Sequence, residues 1–484
     1  MVKADTLIRN ALTLDGAGVP PEMLDVAISG DRIVEVGPSL RYEAKTVVKA
    51  DGLSLAPGFI DVHTHDDTSV ICAPAMLPKL SQGVTTVIVG NCGISAAPVQ
   101  LRAEPPDPMN LLGDASVFRY PSFKDYVVAI DAAHPAVNVA SLVGHTALRN
   151  NHMERLDRVA TRTEIAAMRA QLQASLDAGA LGLSTGLAYL SAISASTEEV
   201  LELARPLAAA GAVYTTHMRS ETEAILSAME EAFTIGHQAC VPVIISHLKC
   251  AGLANWGRSG EVLEALEAVR ESQRVGCDCY PYAAGSSTLD LRQVDERVEM
   301  TITWSASCPE VAGRSLAEIA AEWKMPQMDA ARRLQPAGAI YHSISEQDMR
   351  RILSHPMTMI GSDGLPNDPR PHPRLWGTFP RVLGHYCREQ KLFTLPQAIH
   401  KMTQLPAQRF GLAERGLLRR GYFADLVLFD AESIIDTATY ADPIRSAQGI
   451  HGVWVNGVLS YTADGPTGQR SGRFIPRGRT AWIQ

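Results

Sequence analysis

Two histidines close the first apolar, strand-like run of the chain. Asp61-Val62-His63-Thr64-His65 follows residues Pro57 to Ile60 directly. Side chains two positions apart on an extended segment point to the same side, so the imidazoles of His63 and His65 can reach one ion. A single histidine is most often a surface or core residue, but this paired spacing predicts metal binding or close support of a metal site.

Cysteine and histidine recur at the ends of later apolar runs. Cys92 lies in Gly90-Asn91-Cys92-Gly93, while His145, His217 and His247 each end another run. A thiolate and two imidazoles leave one position of a tetrahedral zinc ion open for water, which is the arrangement of catalytic zinc. Cys92 alone could be an inert buried thiol. Taken with His217 and His247, it predicts a catalytic zinc site.

An aspartate completes the set of chemically useful residues. Asp363 lies in the tight turn Gly361-Ser362-Asp363-Gly364, after the last apolar run. Metal-assisted hydrolysis needs a base that removes a proton from water and an acid that returns it to the leaving nitrogen, and one carboxylate can do both. Aspartate also stabilises turns. Because the predicted metal ligands precede it along the chain, we predict the catalytic role for Asp363.

Eight apolar runs, separated by helix-like stretches, have to position these residues. This alternation predicts βα units and a (β/α)8 barrel, whose active site lies at the carboxyl ends of the strands. An open doubly wound sheet is the alternative that periodicity leaves open. Two connections are long, 91–137 and 283–340, and we expect the second to cap the active site. The runs are 58–62, 84–90, 138–144, 180–184, 212–216, 242–246, 275–279 and 357–362.

The two ends of the chain read as short strands with hairpin turns. Gly30-Asp31 and Asn456-Gly457 each separate two strand-like runs, and Asn-Gly is a strong hairpin signal. We therefore predict a small β-sandwich domain built from residues 1–57 and 415–484. The catalytic barrel is predicted over 58–414.

Composition excludes several classes of protein. The 484 residues carry a net charge of -8, which argues against nucleic acid or an anionic membrane as a partner. No apolar stretch is long enough for a membrane span or a signal peptide. Eight cysteines in a chain of this length do not form a disulfide scaffold, so we expect a cytoplasmic protein. The oligomeric state is left open.

Several motifs carry a family resemblance. Pro57 to His65 resembles the first-strand signature of the amidohydrolase superfamily, and Ala424 to Val427 is similar to its closing β-domain. No lysine fits the carbamylated, metal-bridging lysine that many members use. Five other segments resemble the D-aminoacylase (N-acyl-D-amino-acid deacylase) family, and this resemblance covers nearly the whole chain in matching order. They are Gly90 to Ser95, Thr216 to Arg219, Ser246 to Lys249, Gly361 to Pro366 and Arg370 to Arg381.

The resemblance implies a function and a role for each site residue. The expected reaction is zinc-dependent hydrolysis of N-acyl-D-amino acids to a carboxylate and a free D-amino acid. It implies one tight zinc on Cys92, His217 and His247. His63 and His65 would form a second, weaker site or polarise the carbonyl, and Asp363 would be the base and then the acid. The residues expected to grip the substrate carboxylate are Lys249, Tyr280, Ser286 and Arg374.

The substrate side chain is the least constrained feature. The segment Asp290 to Met300 departs from the family pattern and carries mixed charge. Neutral D-residues such as D-methionine or D-phenylalanine are our expectation. Two alternatives remain: a cyclic-amide hydrolase (hydantoinase- or dihydroorotase-like) or deaminase of the same superfamily, and a non-enzymatic scaffold on the same fold.

Overall fold

Eight parallel strands form the centre of the molecule. The structure, a computed structural model, describes residues 2–478. Each of the eight predicted runs contains one barrel strand, and we number these strands in chain order. The third is interrupted at Leu142. The barrel strands are Phe59–Asp61, Val84–Val89, Asn138–Ser141 with Val143–Gly144, Gly182–Gly186, Val213–His217, Val243–Ile245, Val275–Cys279 and Thr358–Ile360.

The strands follow one another around the barrel in chain order. They pair as a three-stranded and a six-stranded parallel sheet, and the interrupted third strand contributes one segment to each. The first and eighth strands meet just beyond their carboxyl ends, through a parallel bridge between Thr64 and Gly364. There the Asp363 amide donates to the His63 carbonyl at 2.7 Å. The order is that of a (β/α)8 barrel, as predicted, rather than of a doubly wound sheet.

Helices cover the outside of the barrel. The helix Arg162–Asp177 begins with a capping box in which the Thr161 side chain and the Glu164 side chain satisfy each other's backbone amides. The π-helix Val382–Glu389 continues Arg374–Arg381. The remaining helices of four or more residues outside the insertion are Ser69–Cys72, Leu77–Leu80, Met109–Leu112, Phe123–Ala133, His145–His152, Thr197–Ala210, Ile225–Ala239, Ser259–Arg270, Glu346–Ser354, Leu395–Met402 and Gln404–Phe410.

Strands from both ends of the chain share one nine-stranded sheet. The predicted hairpins occur there: Ser29 pairs with Arg32, and Val455 pairs with Val458 around Asn456-Gly457. Whether the domains divide at 57/58 and 414/415 stays a prediction. The strands are Val2–Thr13, Glu22–Ser29, Arg32–Gly37, Tyr42–Lys49, Ser54–Pro57, Leu426–Phe429, Ile450–Val455, Val458–Thr462 and Gly465–Pro466.

The long connection after the seventh barrel strand has a core of its own. Its antiparallel sheet consists of Gly285–Thr288, Met300–Ser305 and Ala337–Tyr341. The helices Leu316–Trp323 and Gln327–Leu334 bury Leu316, Ile319 and Leu334 in an apolar cluster with this sheet. Across residues 2–478, no helix has the length and apolarity needed to cross a membrane.

Candidate metal centre and active site

Four side chains with metal-binding atoms converge at the carboxyl ends of the barrel strands. One ligand atom from each of His63, Cys92, His247 and Asp363 lies within 4.8 Å of all the others. Cys92 Sγ is 3.1 Å from His63 Nε2 and 3.3 Å from His247 Nε2. All four residues are buried. A soft thiolate with imidazole nitrogens is a donor set that suits zinc.

The other two predicted ligands border this cluster. His65 Nε2 lies 3.1 Å from Asp363 Oδ1. The His217 ring packs edge-on against the His247 ring, with centroids 4.5 Å apart. His217 Nδ1 is shielded from solvent and has no hydrogen-bond partner within residues 2–478, so it is available as a ligand. The structure therefore brings all the predicted ligands together, while their roles stay predictions.

Three residues of the cluster have unusual backbone conformations. Cys92, His247 and Asp363 have φ angles of 53°, 36° and 50°, in the left-handed region that non-glycine residues rarely adopt. Such conformations cost about 1–3 kcal/mol each and persist where surrounding contacts enforce them, often at functional sites. The Cys92 turn is closely packed: its carbonyl oxygen lies so near Gly186 that a Cβ there would collide with it. These conformations cost stability, and they place the three side chains at the cluster.

Local charges keep the key acids ionised. Burial opposes ionisation of Cys92, yet the imidazoles of His63 and His247 hold the pKa of its thiol well below the usual range. Burial opposes ionisation of Asp363 too, but the Arg374 guanidinium and the His63 imidazole hold the pKa of that carboxyl well below its usual range. The site therefore offers a thiolate, the form that binds metal, and a carboxylate that can accept a proton.

Three of the four predicted carboxylate-binding residues, Lys249, Tyr280 and Ser286, line the same cavity as His247 and Asp363 of the metal cluster, and Arg374 contacts the wall of this cavity through Asp363 and Tyr280. This cavity, which we call the catalytic cavity, has a volume of about 260 Å³. The Arg374 side chain is 1% exposed, with Nη1 2.9 Å from Asp363 Oδ2 and its guanidinium carbon 4.7 Å from the centre of the Tyr280 ring. Lys249 Nζ lies 2.6 Å from a Glu221 carboxylate oxygen.

Two polar atoms of the proposed clamp have neither a hydrogen-bond partner nor an ion-pair partner among residues 2–478, whereas Arg374 Nη1 has its ion pair with Asp363. In the described part of the chain, neither Arg374 Nε nor Ser286 Oγ has a hydrogen-bond partner, although both atoms are shielded from solvent. Arg374 Nη2 instead donates to the Ser286 carbonyl at 2.9 Å. Buried polar atoms are nearly always paired in folded proteins. These two unpaired atoms are therefore suited to a polar ligand.

Sequence reasoning missed a carboxylate beneath the cluster. Asp278, in the seventh barrel strand, has carboxylate oxygens 3.2 and 3.3 Å from His63 Nδ1. It also accepts the backbone amide of the strained His247 at 2.9 Å. Its signal was a charged residue inside the apolar run 275–279.

Glu221 is a second residue that the sequence did not indicate. His145 shows the opposite case, because its position in the sequence matches that of the ligands although it lies outside the cluster. Glu221 follows the fifth barrel strand in a loop, where nothing in the pattern marked it. His145 ends a run as the ligands do, but it begins the helix His145–His152. Its Nε2 lies 2.8 Å from the buried Glu199, outside the metal cluster.

Comparison with known proteins places this site in a family. The chain matches the Amidohydrolase family over residues 46–461 and belongs to it. Within the family, it is 50% identical to a D-aminoacylase of Alcaligenes xylosoxydans xylosoxydans over 98% of both chains. It is 48% identical to an N-acyl-D-aspartate deacylase of the same organism, over 100% of this chain and 97% of the other.

Solved structures agree with this placement. A crystal structure of a D-aminoacylase superposes with a TM-score of 0.96 at 50% identity, covering 98% of this chain and 100% of that one. An N-acyl-D-glutamate deacylase from Bordetella bronchiseptica, in complex with zinc and a phosphonate mimic of the tetrahedral intermediate, gives 0.95 at 43% identity with the same coverage. The D-aminoacylase resemblance and the barrel fold are both confirmed.

Proposed function

We propose that this protein is a zinc-dependent N-acyl-D-amino-acid deacylase. It hydrolyses the amide bond of an N-acyl-D-amino acid and releases a carboxylate and a free D-amino acid. One observation carries this conclusion: a buried arginine suited to a carboxylate, Arg374, contacts Asp363, which belongs to the metal-binding cluster and lines the catalytic cavity. Relatives with deacylase activity match nearly the whole chain, which supports the same reaction here.

Zinc is the cofactor that the donor set fits. We assign the tight site to Cys92, His217 and His247, and a second, weaker site to His63 and His65. These residues would hold zinc, which would supply a coordinated water of lowered pKa and a Lewis acid for the substrate carbonyl. A related D-aminoacylase has a binuclear metal centre in which one metal activates and the second attenuates. We propose the same hierarchy for this chain.

Asp363 moves the proton in this proposal. Its Oδ1 lies 3.1 Å from His65 Nε2 and 3.5 Å from His63 Nε2, directly at the cluster. As an ionised carboxylate it takes a proton from the attacking water and then donates it to the leaving nitrogen. When the weaker metal site is empty, His63 polarises the carbonyl instead, so base and electrophile act on one bound amide.

Arg374 and its neighbours fix the orientation of the substrate. A guanidinium presents planar, paired donors to a carboxylate, and Arg374 Nε is unpaired in the described structure. Ser286 Oγ, Tyr280 and Lys249 complete the clamp around the α-carboxylate. With the carboxylate and the scissile carbonyl both held, one enantiomer directs its side chain toward the insertion, and we propose that this is the D-enantiomer.

The insertion supplies the wall that meets the substrate side chain. Arg292 lines the catalytic cavity and is held by Asp290 at 2.6 Å. Because this guanidinium is already paired, the preference for neutral D-residues stays our prediction. The relatives that act on D-aspartate and D-glutamate derivatives make acidic substrates the necessary comparison.

All eight cysteines are free in the structure. This supports our proposal of a reducing compartment, the cytoplasm.

A substrate panel tests the proposed function. We expect hydrolysis of N-acetyl-D-methionine, with kcat/KM far above that for N-acetyl-L-methionine and for hydantoin. N-acetyl-D-aspartate and N-acetyl-D-glutamate should be slower than the D-methionine derivative. Hydantoin hydrolysis without deacylation would assign the chain to the cyclic-amide hydrolases. A preference for the L-acid would contradict the stereochemical assignment and leave the metal site standing.

A further inference from the structure

Glu221 lies between the metal cluster and the carboxylate clamp. It follows the ligand His217 by four residues and precedes the helix Ile225–Ala239. Its side chain is 11% exposed and lines the catalytic cavity. One carboxylate oxygen, Oε1, contacts two groups at once. It lies 3.0 Å from His247 Nδ1 and 2.6 Å from Lys249 Nζ.

If both groups are hydrogen-bond donors, they need a shared acceptor to lie this close together. His247 Nδ1 and Lys249 Nζ are only 2.9 Å apart. If His247 binds metal through Nε2, which faces Cys92 Sγ at 3.3 Å, then its proton is on Nδ1. An ammonium and an N–H would then face each other as two donors. A shared acceptor is what makes this arrangement stable.

The Glu221 carboxylate is placed to serve as that acceptor. Its Oε1 reaches both donors, and its Oε2 lies 3.7 Å from His217 Nε2. Its backbone is also fixed, since the Glu221 carbonyl accepts from the Ala251 amide at 2.8 Å. The carboxylate is therefore an acceptor on an anchored loop.

We infer that Glu221 is a positioning residue that joins the metal site to the substrate clamp. It accepts the Nδ1–H of His247, which leaves Nε2 directed at the metal, and it holds the Lys249 ammonium at the cavity wall. A carboxylate behind a ligating histidine orients the ring and strengthens it as a ligand. This inference rests on the proposed zinc deacylase function, in that it assigns the metal and the carboxylate to this cavity.

Zinc affinity is the direct readout, measured by competition with a chelator. Glu221→Leu removes the acceptor and should weaken zinc binding about 10- to 100-fold, the usual effect of losing such a partner. Glu221→Gln keeps one acceptor oxygen and should lose less. KM for N-acetyl-D-methionine should rise in both variants, because Lys249 is released. Glu223→Gln, at an exposed position two residues along the same loop, is the matched control and should behave as the unchanged protein.

A double variant separates positioning from simple charge balance. In Glu221→Leu with Lys249→Met, zinc affinity should stay as weak as in Glu221→Leu alone, because His247 still lacks its acceptor. Recovery of wild-type affinity would overturn the inference, since Glu221 would then serve only to neutralise Lys249. Wild-type zinc affinity in both single Glu221 variants would overturn it as well. If Glu221→Leu fails to fold, the Gln variant carries the same comparison. Deacylation by the unchanged protein is scored separately, so failure of the proposed function remains distinguishable.

Discussion

The two ends of the catalytic cavity are built differently. The inner end adjoins the metal cluster at the carboxyl ends of the barrel strands, where three residues, Cys92, His247 and Asp363, have left-handed backbones. The outer end consists of the insertion, where a charged pair, Arg292 with Asp290, lies in the connection between the first two strands of the antiparallel sheet. The inner end is therefore held by the barrel itself, and the outer end by the insertion, which has its own apolar core and a partly exposed ion pair at the cavity. We expect chemistry to depend on the first and selectivity on the second.

Asp363→Asn should have the largest effect among the variants that keep the metal. The amide cannot serve as base and acid, so kcat should fall about 10²- to 10⁴-fold while zinc content and fold persist. Steady-state kinetics with zinc analysis on one preparation provides the measurement. A loss below tenfold would mean that another group transfers the proton.

Arg374→Met should come next and should depend on the substrate. An arginine that holds a buried carboxylate contributes a few kcal/mol, so kcat/KM for N-acetyl-D-methionine should fall about 10²-fold or more. N-acetyl-D-methionine amide, which lacks the anion, should be a poor substrate of the unchanged enzyme and should change much less. Equal losses for acid and amide would show that Arg374 acts through Asp363 alone.

Asp278→Asn tests whether the inner end depends on the contacts of Asp278 with His63 and His247. The amide still accepts the His247 backbone N–H but loses the charge that faces His63 Nδ1. We expect kcat/KM to fall about 10- to 100-fold, as for other partners of functional histidines. Unchanged kinetics in a normally folded variant would remove Asp278 from the site.

Arg292→Leu should have the smallest effect and is confined to the outer end. The Arg292 side chain is 45% exposed and paired with Asp290. Exposed pairs of this kind contribute about 0–1 kcal/mol, so kcat/KM for N-acetyl-D-methionine should stay within about fivefold and zinc binding should not change. A loss above 100-fold would place Arg292 in direct contact with the substrate.

The same contrast explains what the sequence could predict. The eight barrel strands were predictable because fully buried parallel strands are continuous apolar runs. Cys92, His217, His247 and Asp363 were predictable because the carboxyl ends of such strands meet at one face. The hairpin at Asn456-Gly457 followed from turn chemistry alone.

Residues defined by tertiary contacts escaped prediction. Glu221 lies in a loop, and its importance comes from the approach of His247 and Lys249, which follow the next strand. Asp278 was hidden inside an apolar run, where its register decides which histidine it meets. His145 matched the ligand pattern but starts a helix, which turns its ring toward Glu199. A sequence pattern predicts where a residue lies along a strand, but it does not predict which residue across the barrel it contacts.

The central claim is that one zinc ion in the Cys92, His217 and His247 site supports catalysis. Zinc titration of the metal-free protein tests it most directly, with activity on N-acetyl-D-methionine followed at each addition. We predict that activity rises to its maximum at one equivalent, and that Cys92→Ala gains none over the same range because a thiolate ligand is missing. Full activity in the metal-free protein, or in Cys92→Ala at one equivalent, would contradict the account.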